Sequence, residues 1–476
     1  MKAHNICPII TFAVSALGLT SCMFGPDYKR PDTDVPVAFR GAFATDASIA
    51  DLPWWKVFKN KELQNLLSET YANNHDLRSM IANVEKARQY VTIANAPLFP
   101  WANYGANVSK GQNYNSGSIY NSGNMTTNPA AIQAGISWEL DLWGKTRRST
   151  EAAVAEYLAS EEGQRALMLS LLSQVADGYL SLLQLDEQLS IMKDSVSSYT
   201  ESYRLFKEQM QGEVGDVLQV SSAEAALSAA KAQIPLLESQ IASLENTLSA
   251  IAGRVPGKIS RSGDLVSIAN AVKIPAGIPA QILNRRPDIR QKEQMLRAAN
   301  ARVGVAIANY FPSISLTAAA GTATSDLRNV AYRTRGNGWG ITPSVTGPIF
   351  QGGTLRASEK AAKADYEAAK NDYEQTVLNA LAEVSSTLVS RTKLNEVNIQ
   401  QDNAVKAYLT SMNAAMDRYK TGLSDYFEVL YAQQNLFPAQ VSRSQYRYQY
   451  ASSLVKLYVA LGGGWNMTNQ QMMKGK

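Results

Sequence analysis

The chain has 476 residues, 45% of them hydrophobic and 18% charged, with a formal net charge of +5. That is material for a large core or two domains, and the two signs of charge are interspersed with no basic block, so nucleic-acid binding is not indicated. His4 and Cys7 fall in a targeting signal, which leaves His75 and Cys22: no Cys/His metal cluster, no Cys–His pair and no glycine-rich phosphate loop, hence no enzyme and no cofactor expected.

Residues 1–21 read as a signal peptide, with Lys2 in the charged part and Ile9 to Leu19 as the apolar core. The following "LTSC" (Leu19 to Cys22) resembles the lipobox of bacterial lipoprotein precursors, so Cys22 is expected to become an acylated N-terminus and residues 22–476 the mature protein. Met23, rather than an aspartate, follows it, as in precursors sent to the outer membrane. No later run reaches about 18 uninterrupted apolar residues, so no transmembrane helix is expected.

The chain then matches itself at a shift of about 210 positions. Asp76-Leu77-Arg78 meets Asp288-Ile289-Arg290, Phe99-Pro100 meets Phe311-Pro312, Asp216 meets Asp425, and Gly253 meets Gly462. Two repeats, 61–253 and 270–462, are expected. Each holds a moderate helix, two strands around a polar loop, a very long helix, a tight turn and a return helix. The Pro- and Gly-rich stretches between them suit a connector laid across helices.

The strand signal is strict alternation. From Ala130 to Leu142 the apolar set is Ala130, Ile132, Ala134, Ile136, Trp138, Leu140 and Leu142, against Ala131, Gln133, Gly135, Ser137, Glu139 and Asp141. "WANYGANVSK", "SISLTAAAG" and "WGITPSVTGPIF" repeat the pattern, so four strands of about ten residues are expected, long enough to cross a bilayer at a tilt with one apolar face outward. A small soluble sheet packed on helices is the competing reading. Four strands cannot close a barrel and open edges are not tolerated in lipid, so a membrane reading requires several chains to share one barrel.

The long helices are expected near 145–208 and 355–418, on the order of 95 Å each. Return helices of about 36 residues follow, with a three-and-four seam at Ile234, Leu237, Ile241, Leu244 and Leu248 in the first. Pro235 and Pro438 should bend them. The turns "QMQGEVGDV" and "RYKTGLSDY" lie at the hairpin tips, where glycines permit reversal and Asp216 and Asp425 are placed to cap the return helices.

At this point the residues resemble a known family. "CMFGPDYKRPDTDVP", "PWWKVFKNKELQNLL", "IPAGIPAQILNRRPDIRQKE" and "RYKTGLSDYFEVLYAQQNLF" look like signatures of the TolC-like outer-membrane efflux ducts, in the lipoprotein branch that serves resistance-nodulation-division pumps. The resemblance implies a mainly α chain with a transmembrane β part and a homotrimer with a shared twelve-stranded barrel over an α-helical periplasmic barrel. It implies a passive exit duct lodged in outer-membrane lipid, with a periplasmic adaptor and an inner-membrane pump as partners.

Carried over by position, Phe427 matches an apolar gate residue and Glu428 an acidic ring position, with Gln219 its repeat counterpart. Asp216 and Asp425 belong to the same constriction. Tyr431 stands where these ducts typically carry aspartate, which weakens the expectation of a strongly anionic constriction. Val214-Gly215 and Gly422-Leu423 resemble the tip segments that meet the adaptor. A lipid-anchored periplasmic structural or adaptor protein with long helical hairpins stays open as an alternative, as does a duct for metal export or protein secretion.

Overall fold

The computed structural model describes residues 23–40, 57–108, 111–113, 125–127, 130–213, 215–269, 279–324 and 337–463. The targeting segment, Cys22 and Val214 lie outside the described residues. In chain order the elements are α1 (Lys61–Asn73), α2 (His75–Asn95), β1 (Trp101–Val108), β2 (Gly111–Asn113), β3 (Met125–Thr127), β4 (Ala130–Leu140), α3 (Lys145–Gln211), α4 (Val217–Ile251) and α5 (Leu265–Ala269). There follow α6 (Ile282–Arg285), α7 (Pro287–Ala308), β5 (Ser313–Thr324), β6 (Asn337–Thr346), α8 (Thr354–Lys420) and α9 (Phe427–Ala460). The two long helices have 67 residues each, and the helices that follow them have 35 and 34.

Contacts divide the chain into two compact units. The first draws on Met1–Asp32, Asn83–Glu161 and Gln291–Tyr373. It holds a four-stranded sheet in the order β1-β4-β5-β6, antiparallel throughout. The register stacks the alternation into rows. Tyr104, Ala134, Ala320 and Trp339 pair across the four strands, and so do Ala102, Ile136, Ala318 and Ile341. On the other face the row is Trp101, Ser137, Thr317 and Thr342, with Glu139, Ser315 and Ser344 beyond it. One face is therefore mainly apolar and the other mainly polar; Trp101, Ala131, Ala319 and Ala323 fall on the polar side and Thr322 on the apolar side.

Large apolar side chains stand exposed on that face, with Tyr104 at 90% and Trp339 at 81%. A soluble sheet buries such a face; here nothing among the described residues covers these side chains. Strand β4 stops at Leu140, two residues short of the alternation. The Asp141 carboxylate turns away to accept the backbone N–H groups of Thr146 and Arg147, both at 3.0 Å, and so opens α3. The polar loop after β1 also carries structure, a small β2–β3 hairpin. Helices α3 and α7 approach closely through Ala152, Ala155, Ala298 and Ala301.

The second unit draws on Thr33–Ala82, Glu162–Arg290 and Glu374–Lys476. Of the two Pro- and Gly-rich stretches between the halves, 254–263 is pinned at several points together with its flanks, while 273–278 of the second lies outside the described residues. Gly253 turns with φ 72°, and a Cβ there would sit 2.4 Å from Asn73 O. Tyr179, fully buried, accepts from Ser262 N at 3.1 Å, while Asn60 Nδ2 donates to Ser262 O at 2.6 Å. Arg261 pairs with Asp186 and Glu245, and Asp264 caps α5 through the N–H groups of Val266 and Ser267, both at 2.9 Å.

Pro235 and Pro438 do not break their helices; α4 and α9 run on through both, with Leu237 and Phe437 buried just beyond or beside them. Packing outweighs the missing donor. One stretch of α3 is apolar enough to cross a membrane by length and composition, but 56% of it is buried inside the protein, as in a core helix.

Candidate functional site

The two helical hairpins turn within the second unit, and their local chemistry dictates how. Helix α3 ends as Gly212 N–H reaches Glu208 O at 3.0 Å and Glu213 takes a left-handed φ of 60°. Gly215 passes so close to the helix end that a Cβ would fall 2.5 Å from Met210 N, so no side chain fits. Asp216 then caps α4, its carboxylate accepting from Leu218 N at 3.0 Å. At the second turn α8 closes with a left-handed Gly422 (φ 73°) and Leu423 N–H on Arg418 O at 2.9 Å, the bonding of a Schellman turn.

The second aspartate behaves differently from the first. The cap position of α9 is Tyr426 in helical conformation, one residue later than the sequence indicates. Asp425 instead divides its carboxylate: one oxygen accepts from Phe427 N at 3.2 Å, the other from Gln219 Nε2 at 2.5 Å. Gln219 sits on α4, so this bond ties the start of one return helix to the turn before the other. Glu428 faces Arg418 at 3.4 Å, both about half exposed, an arrangement worth little in water.

Phe427 and Tyr431, one helical turn apart on α9, are 45% and 64% exposed, while Val217, Leu218 and Leu423 are bare as well. Five large apolar side chains thus stand in water around two tight turns. Just behind them the packing is dense. Tyr426 is buried edge-on against Phe206 (5.3 Å) and Tyr419 (4.7 Å). Its hydroxyl lies 3.1 Å from Ser202 Oγ, which lies 3.0 Å from Gln433 Oε1, and burial raises the phenol above its ordinary pKa.

The fold thus brings Asp216, Gln219, Asp425, Phe427, Glu428 and Tyr431 to one pair of turns, with Gly215, Gly422 and Leu423 at the reversals. The expected set lacks Tyr426, Ser202 and Gln433, whose polar atoms hold α9 to α3. The alternation of "SDYF" carries no sign that its tyrosine, rather than its phenylalanine, is the buried ring. Among the described residues no group of three or more His, Cys, Asp or Glu is placed to hold a metal ion.

Comparison with known proteins gives the family of the chain. The model of the outer membrane efflux protein family matches residues 66–254 and 278–463. A Pseudomonas putida protein named probable efflux pump outer membrane protein TtgC is 32% identical over 475 residues, covering 97% of this chain and 98% of that one. The cation efflux system protein CusC of Escherichia coli is 33% identical over 469 residues, covering 96% and 99%. The open-state crystal structure of the Neisseria gonorrhoeae MtrE outer membrane channel superposes with a TM-score of 0.83 at 30% identity, covering 93% of this chain and 99% of that one. The chain belongs to the outer membrane efflux protein family.

Proposed function

We propose that this outer-membrane efflux protein is the passive exit duct of a tripartite system, carrying small toxic compounds delivered by an inner-membrane pump and a periplasmic adaptor. The observation that carries the reading is the sheet: four strands, apolar on one face and polar on the other, with β1 and β6 each left with one unpaired edge among the described residues. In lipid those edges must be satisfied, and pairing β6 of one copy with β1 of the next does so. Three copies then give twelve strands, with the polar rows toward the lumen.

In this reading residues 1–21 leave as a signal peptide, Cys22 is acylated, and 61–253 and 270–462 are two repeats of one plan. The turns form the periplasmic constriction, with Phe427, Glu428, Tyr431, Gln219, Asp216 and Asp425 around it. Val214, Gly215, Gly422 and Leu423 meet the adaptor. The Gln219–Asp425 bond holds the two hairpins together in the resting state. The duct does no chemistry; substrate choice lies with the pump.

Deletion of the gene tests the role, followed by measurement of tolerance to antibiotics, dyes, detergents and metal ions with the cognate pump expressed. A fall in tolerance to at least one class, restored by the plasmid-borne chain, is expected. Unchanged tolerance to all four rejects efflux.

A further inference from the structure

In the first unit a cavity of about 520 Å³ lies where the sheet gives way to helices. Its walls come from the ends of β4 and β6, the start of β5, the starts of α3 and α8, and the end of α7. Glu139, Ser313 and Thr346 are in the lining, and the register puts all three on the polar face. The cavity therefore belongs to that side of the sheet. Its volume is that of a site for a small organic molecule.

Part of the polar lining is already engaged. Asp141 holds the start of α3, Trp143 Nε1 donates to Pro312 O at 2.6 Å, and Ser313 Oγ donates to Thr346 O at 3.2 Å. Two full charges are not engaged. Glu139 and Lys145 line the same cavity, yet neither has a hydrogen-bond or ion-pair partner among the described residues, and they do not pair with each other. Glu139 is also the one ionisable side chain on the polar face of the sheet among the described residues. The side-chain amides of Asn309 and Gln351 stand in the lining without a partner as well. Trp143 and Phe311, stacked at 5.0 Å and 24°, add an aromatic wall.

The two charges are not part of the repeated plan. The shift that matches Gly135-Ile136 to Gly340-Ile341 brings Glu139 to Ser344. The shift that matches Glu156-Tyr157 to Asp365-Tyr366 brings Lys145 to Thr354. The second repeat thus builds the same strand end and helix start without either charge, so the fold does not require them. Kept apart, the carboxylate and the ammonium offer opposite charges to one bound molecule beside an aromatic surface.

We propose that this cavity is a transit niche for zwitterionic aromatic solutes: Glu139 meets an ammonium, Lys145 a carboxylate, and Trp143 and Phe311 the ring system. This rests on the reading of the chain as an exit duct whose lumen the polar face lines. Three copies then carry three niches where the barrel meets the helices. Exposed charges hold a ligand weakly, which suits a conduit, because a solute must leave the wall as readily as it reaches it. The pump decides what enters the duct; the niche decides how long a solute of each charge stays on its wall.

The experiment uses the full chain in lipid nanodiscs, as parent, Glu139→Gln and Lys145→Gln, titrated at low salt with saturation-transfer NMR. The probes share one aromatic body: ciprofloxacin, a zwitterion at neutral pH, its methyl ester, a cation, and its N-acetyl derivative, an anion. The parent is expected to bind the zwitterion about fivefold more tightly than either derivative. Glu139→Gln should weaken the zwitterion and the ester by about fivefold and leave the N-acetyl compound nearly unchanged. Lys145→Gln should weaken the zwitterion and the N-acetyl compound and spare the ester. A parent without saturable binding, or a variant that loses all three probes alike or none, overturns the proposal. Binding is read on the isolated protein and drug tolerance in cells, so failure of the niche and failure of the duct are told apart.

Discussion

Gly215 and Phe427 show two ways in which one residue decides the tip. At Gly215 the obstacle to a side chain is backbone, with Met210 N at 2.5 Å and Gln209 C at 2.8 Å from an added Cβ, so nothing can rotate aside. Gly215→Ala is expected to cost about 1–3 kcal/mol locally and to open the first turn; faster proteolysis between α3 and α4 checks it, and an unchanged rate rejects it. Phe427 has the opposite character: half exposed, it supports little within its own chain. Phe427→Ala should leave thermal unfolding nearly unchanged and raise uptake of large antibiotics. Equal uptake in variant and parent removes Phe427 from the gate. Asp425→Ala takes away both the Gln219 link and the acceptor of Phe427 N, so its leakage should be at least as great.

These residues differ in how far sequence alone reveals them. Asp216 as a cap is legible because an N-cap depends on its own neighbours. The trio Ser202, Tyr426 and Gln433 is not, because Tyr426 and Gln433 stand 224 and 231 positions from Ser202 and meet it only through tertiary packing.

At the scale of elements, the strands are the most legible part, since a lipid-facing sheet must alternate and β4 and the first half of β5 do so, the pattern loosening at Ala319 and Thr322. The exception is instructive: the alternation runs on to Leu142, but Asp141 has two backbone donors waiting at the start of α3 and leaves the strand to take them. The segment 23–32 has no period to detect, and only its one glycine, Gly25, hints at close approach.

The connector gives a test by acid. Asp264 is held below the ordinary aspartate range, chiefly by the Ser267 N–H. A carboxylate whose folded pKa is depressed adds stability above its unfolded value, and that stability is lost as pH falls through the folded one. Hydrogen exchange of the Val266 and Ser267 amides should therefore quicken below about pH 4 beyond the intrinsic rate change. In Asp264→Ala it should be fast at all pH, with a cap loss of about 1 kcal/mol. Acid-insensitive protection in the parent contradicts this assignment.

At the scale of the molecule, the exposed aromatic and aliphatic rows of the sheet and the edges left unpaired among the described residues share one explanation under the proposed duct: lipid covers the rows, and other copies of the same chain pair the edges. Composition could not show this, since 45% hydrophobic content suits a soluble protein as well. Only the register, which stacks the Tyr104 and Ala102 rows across all four strands, turns an alternating pattern into a lipid-facing surface. The most direct test is native mass spectrometry of the full chain extracted from outer membranes in mild detergent, coupled to hydrogen exchange of the strand amides. Three chains per particle are expected, with β1 and β6 protected as strongly as β4 and β5. A stable single chain whose β1 and β6 edges exchange freely with water would contradict the shared barrel, and with it the duct.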